Sequence, residues 1–104
     1  MAALHLAASP TVQTDGFRAV IAAAPHCPSK VAGPYAPLLL VIGSDDTSVS
    51  VEICTEYAAR LAKAPNFEFL LLPGAPHVFW QNPSAAELSG SRMKSFLAKA
   101  FKQD

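Results

Sequence analysis

Pro37-Leu38-Leu39-Leu40-Val41-Ile42-Gly43 carries five consecutive branched aliphatic residues and closes on a glycine. An apolar run that does not alternate is the pattern of a strand covered on both faces, as in a parallel sheet flanked by helices. Two further runs read as strands. One is Phe67-Glu68-Phe69-Leu70-Leu71-Leu72; the other runs from Phe17 to Ala23, bounded by Gly16 and Pro25. Between the first two of these strands, residues 50–63 predict a helix. Ile53, Tyr57 and Leu61 recur every four residues, with Cys54 and Ala58 beside them, giving one apolar stripe. Ser48 or Ser50 can cap its start, and Glu52 suits the positive end of its dipole. Glu56 and Arg60 form an i,i+4 pair on its outer side.

Working outward, the last helix is predicted to begin at Ser84, where Glu87 three residues on completes a capping box. Met93, Phe96, Leu97 and Ala100 form its buried face, with Lys94, Lys99 and Lys102 outward and late. Residues 2–9 read as an Ala/Leu-rich helix stopped by Pro10, and Asp15-Gly16 marks a turn. Residues 24–37 hold four of the nine prolines and form a long loop. Strands alternating with helices predict an α/β fold of about three parallel strands with flanking helices and right-handed crossovers. Residues 1–104 form one domain in this reading.

Composition narrows the function classes. Half the residues are apolar and 15% are charged, which is a globular balance. Eight basic residues offset eight acidic ones with no Lys/Arg stripe, so nucleic acid is not an expected partner. No run approaches the length of a membrane helix. The opening Met1-Ala2-Ala3-Leu4-His5-Leu6 lacks the basic start of a signal peptide. The expected compartment is therefore cytoplasmic, or secreted or periplasmic if Cys27 and Cys54 are joined. Two cysteines leave both states open: buried thiols, or one disulfide if the loop after the first strand lies over the helix at 50–63. His26, Cys27, Cys54 and His77 show no ligand-pair spacing, so no metal site is expected.

Asp46 follows one strand and His77 follows the next. Ligands of open α/β sheets bind beyond the carboxyl ends of the strands, where both residues fall. There an acid can accept from imidazole Nδ1–H, fix the tautomer and stabilise the imidazolium. The other nitrogen is then a general base for a nucleophile. Taken alone, Asp46 also suits a helix cap and His77 a plain loop position. Their order on successive strand ends favours a triad acid and base. Trp80 and Phe79, beside the histidine, are candidate pocket walls, with core packing under the last helix the alternative for Phe79. Cys27 lies in a Pro-rich loop and Ser91 between unrelated neighbours, so neither has the strand-to-helix context of a nucleophile.

Gly43-x-x-Asp46-x-x-Val49-Ser50 resembles the Gly-x-x-Asp-x-x-Val/Thr-Pro acid turn of the dienelactone hydrolase family, with Ser50 in place of the proline. Pro73-Gly74-Ala75-Pro76-His77-Val78-Phe79 is similar to that family's Pro-Gly-Ala-x-His-x-Phe histidine loop. Ala24-Pro25-His26-Cys27 resembles its Tyr-Pro-x-Cys segment, and Met1 to Ala8 its nucleophile helix. The resemblance implies the C-terminal half of an α/β-hydrolase fold. It makes Asp46 the triad acid, with Asp45 the near alternative, and His77 the base. Lactone or ester hydrolysis through a covalent acyl-enzyme is the implied reaction, and it needs no cofactor. The family's Gly-x-Ser/Cys-x-Gly-Gly elbow would fall a few residues ahead of Met1, so the stretch is expected to be incomplete as a catalyst. The strand at Phe17–Ala23 would then present an apolar edge, suited to self-association of a non-catalytic or degenerate module.

Overall fold

The computed structural model describes residues 19–27, 36–64 and 66–102. The helix expected over residues 2–9, the turn at 15–16 and the first residues of the Phe17–Ala23 strand lie outside them. Three strands form one sheet in the order β1 (Val20–Ala23), β2 (Leu38–Gly43), β3 (Phe67–Leu72), all parallel. Helix α1 (Val51–Leu61) connects β2 to β3. A 3-10 turn (Phe79–Gln81) and helix α2 (Pro83–Lys102) follow β3.

The central strand is buried along its whole length, as its unbroken apolar sequence requires. Four of its side chains divide between two cores, and Ile42 joins a third with Val49 and Cys54. Leu38 and Leu40 pack with Val20, Ala22, Tyr57, Ala58 and Leu61 on the α1 side. Leu39 and Val41 pack with Leu70, Leu72, Phe79, Ala85 and Phe96 on the α2 side. The strand register Leu38↔Phe67 through Gly43↔Leu72 brings β2 and β3 to an end at the same level. Glu68, on the edge strand, meets Arg92 at 3.6 Å and Lys99 at 3.8 Å, tying α2 to β3.

Helix boundaries and faces depart from the sequence reading in three places. Helix α1 buries Cys54, Tyr57, Ala58 and Leu61, while Ile53 is 46% exposed. Four-residue steps drift by about 40° each on a 3.6-residue helix, so Ile53 falls off the stripe it was expected to start. Helix α2 begins one residue before Ser84: Pro83 takes the first helical position, and the Asn82 side chain accepts from Ala85 N–H at 3.2 Å. Asn82 is therefore the cap, and Glu87 is exposed rather than the partner of a Ser84 capping box. Phe96 and Ala100 are buried as expected, with Met93 and Leu97 partly so. Strand β1 ends where Ala24 turns to φ 51°, its N–H still donating to Val41 O at 2.7 Å. No helix among the described residues is long and apolar enough to cross a membrane.

Candidate active site

The site is built from two loops that leave neighbouring strand ends. The loop after β2 carries Ser44, Asp45 and Asp46; the loop after β3 carries Pro73 through His77. Gly43 lets them touch. A Cβ on it would collide with the Ala75 carbonyl and lie 2.7 Å from the Pro76 oxygen, so only glycine admits this backbone approach. Three hydrogen bonds stitch the loops: Ser44 N–H to Leu72 O at 2.9 Å, Asp45 N–H to Ala75 O at 2.9 Å, and Gly74 N–H to Ser44 Oγ at 2.6 Å. Gly74 takes φ 69°, the left-handed turn that swings the chain back over β2.

That return brings together two side chains 31 residues apart in sequence. His77 Nδ1 lies 2.8 Å from Asp46 Oδ2. The other carboxylate oxygen, Oδ1, accepts from Ser48 N–H at 2.8 Å and Val49 N–H at 3.0 Å. The Asp46 side chain has no solvent exposure, whereas the His77 ring is 36% exposed. Burial alone would push the carboxyl up. The Val49 amide, His77 and the Ser48 amide outweigh it and hold Asp46 below the ordinary carboxylate range. An ionised Asp46 accepts from a protonated Nδ1, and in the neutral ring this places the lone pair on Nε2. That is the state of a general base.

Both expected residues thus meet; of the two adjacent aspartates it is Asp46 that contacts His77, while Asp45 is exposed. Asp46 does not cap α1; Ser50 does, its Oγ accepting from Ile53 N–H at 3.1 Å. Phe79 is core, 2% exposed, and packs with Phe96 and Ala85 of α2. Trp80 stands 53% exposed, edge-on to Phe79 with ring centroids 5.2 Å apart. Two clefts have linings that include neither Asp46 nor His77. One of about 390 Å³ is lined by Thr55, Ala58, Ala59, Ala62, Phe67 and Phe69. The other, about 360 Å³, lies between the end of β3 and the start of α2, against Leu72, Pro73 and Leu88.

Cys27 and Cys54 are joined in a disulfide, Cα to Cα 5.2 Å, which resolves the alternative left open by their number. Neither is then a thiol nucleophile. No described serine hydrogen-bonds the His77 ring. Among the described residues no group of three or more His, Cys, Asp or Glu is placed to hold a metal ion. The Ser44–Gly74 clamp and the Ser48 and Val49 amides were not anticipated. Their signals are a serine directly after a strand-end glycine and the Asp46-x-Ser48 spacing of an Asx turn. Comparison of the chain with protein-family models, curated proteins and solved structures finds no match in any of the three.

Proposed function

We propose that this chain carries the acid and base of an acyl-bond hydrolase with the dienelactone hydrolase arrangement. The carrying observation is the 2.8 Å contact between His77 Nδ1 and the buried, three-fold hydrogen-bonded Asp46. Asp46 orients His77. Nε2 takes the proton of a serine or cysteine as it attacks a lactone or ester carbonyl, then returns it to the leaving alcohol. The same nitrogen next activates water to release the acid product. The nucleophile is not among the described residues, and by the resemblance it stands on an elbow ahead of residue 1. The disulfide supports an oxidising compartment, secreted or periplasmic, over the cytoplasmic one.

The test is hydrolysis of a 4-nitrophenyl ester or a five-membered lactone by the protein carrying the in-frame sequence that precedes residue 1. His77→Ala is expected to lower kcat about 10⁴-fold with the fold retained. Unchanged turnover, or no Gly-x-Ser/Cys-x-Gly-Gly in that frame, defeats the reading. A second reading rests on β1, an apolar strand of four residues at the sheet edge: association of copies without catalysis. Sedimentation equilibrium separates it, a monomer across the micromolar range counting against it.

A further inference from the structure

The disulfide packs in a small core that also holds Val49, a residue whose backbone supports the acid. Ile42, Val49 and Cys54 are buried together at the end of β2, with Cys27 and Val51 packed against them. Val49 faces two ways: its side chain belongs to this core, and its N–H donates to Asp46 Oδ1 at 3.0 Å. Cys54 lies in the first turn of α1, where its N–H donates to Ser50 O. Ser50 directly follows the acid loop. Cys27 reaches Cys54 from the segment that leaves β1. A continuous path of bonds and contacts therefore runs from the disulfide through Val49 to Asp46 and on to His77.

From this placement we infer that Cys27–Cys54 is a redox-responsive modification site that positions the acid loop: oxidation assembles the Asp46–His77 pair, and a dithiol reductant takes it apart. The inference rests on the hydrolytic reading only for its consequence in activity. Cys54 is fully buried and Cys27 half-buried, so attack begins at Cys27. A reductant thiolate bonds to Cys27 Sγ, the Cys27–Cys54 bond breaks, and Cys54 leaves as a thiolate that takes a proton. The reductant's second thiol attacks the mixed disulfide, releases Cys27 as a thiol and departs as a cyclic disulfide. Two electrons and two protons pass to the protein. A disulfide oxidant reverses the sequence. Uncrosslinked, the segment after β1 no longer holds the first turn of α1. Val49 and Ser48 are then free to withdraw their N–H groups from Asp46, and the carboxylate loses the geometry that fixes the His77 tautomer.

The experiment is ¹⁵N NMR of the His77 ring and of the backbone, with dithiothreitol as the reductant and thiol labelling to verify reduction. In the oxidised chain the ring is expected in the Nδ1–H tautomer, with a slowly exchanging Nδ1 proton. Reduction is expected to convert it toward the Nε2–H tautomer and to speed exchange of that proton about tenfold or more, with β2 and β3 signals in place. Cys27→Ala/Cys54→Val, which keeps the core filled without a crosslink, is expected to reproduce the change. An unaltered tautomer in the reduced chain or the double variant overturns the inference. So does loss of the whole dispersed spectrum on reduction, which would make the disulfide a support of the fold rather than of the site. Ester hydrolysis is read in parallel on the protein carrying the in-frame sequence that precedes residue 1: a tautomer change with no hydrolysis there in either redox state sustains the inference and defeats the hydrolase reading alone.

Discussion

Asp46 is the residue on which the site balances. Its carboxylate satisfies two backbone amides and one imidazole while wholly buried. Asp46→Ala leaves the buried Val49 amide without its acceptor, at about 1–3 kcal/mol, while the more exposed Ser48 and His77 donors can turn to water at little cost. The expected outcome is a lower urea midpoint with an unchanged m-value. The pH dependence has a definite sign. The folded carboxyl lies below its ordinary value of 3.8, so between the two values the unfolded chain binds more protons. Stability contributed by Asp46 is present above that ordinary value and is lost as pH falls through the folded one. Asp46→Asn removes this titration. The stability gap between wild type and Asp46→Asn is therefore expected to be flat above about pH 5 and to shrink on further acidification. A gap that is constant down to the acid-unfolded state would remove the ionised carboxylate from the account.

At the scale of elements, the loops matter more than the strands they follow. Gly43→Ala forces a methyl into the Ala75 and Pro76 backbone and is expected to cost about 1–3 kcal/mol. It also moves the histidine loop, so a broken His77–Asp46 contact in its crystal structure is the expected result. Asn82→Ala is expected to cost about 1 kcal/mol in thermal or denaturant unfolding, because it removes the α2 cap without touching the site. Ser84→Ala, the variant that the capping-box reading singles out, is expected to cost almost nothing. These elements were unequally legible in sequence. β2 was plain, since a run of five β- and γ-branched aliphatic residues closing on a glycine fits a doubly covered strand. The α1 stripe was read one position too early, because a count of every fourth residue ignores the drift of the helix. The α2 start is displaced because two competing caps, Asn82 and Ser84, stand two residues apart, and the cue that separates them is Pro83, which fits the first helical position only after Asn82.

For the whole molecule, the disulfide closes a loop between residues 27 apart and is expected to add about 3 kcal/mol by restricting the unfolded chain. Guanidinium titration of oxidised and reduced protein measures that difference directly. The meeting of Asp46 with His77 was legible because parallel strands align their carboxyl ends, so residues following successive strands share a rim. The pairing of Cys27 with Cys54 was not, because a cysteine count carries no distance. The stitching of the loops was hidden for the same reason: a backbone amide has no letter in the sequence.

The strand register has a consequence of its own. Gly43 opposite Leu72 is what levels the two loops. A slip of one residue would offset them by about 3.3 Å and turn every β3 side chain to the other face. Glu68 would then leave Arg92 and Lys99, stranding a carboxylate in the apolar layer beneath α1. The edge-strand acid is thus a proofreading mark for sheet assembly, penalising the misaligned pairing that would also separate the base from its acid.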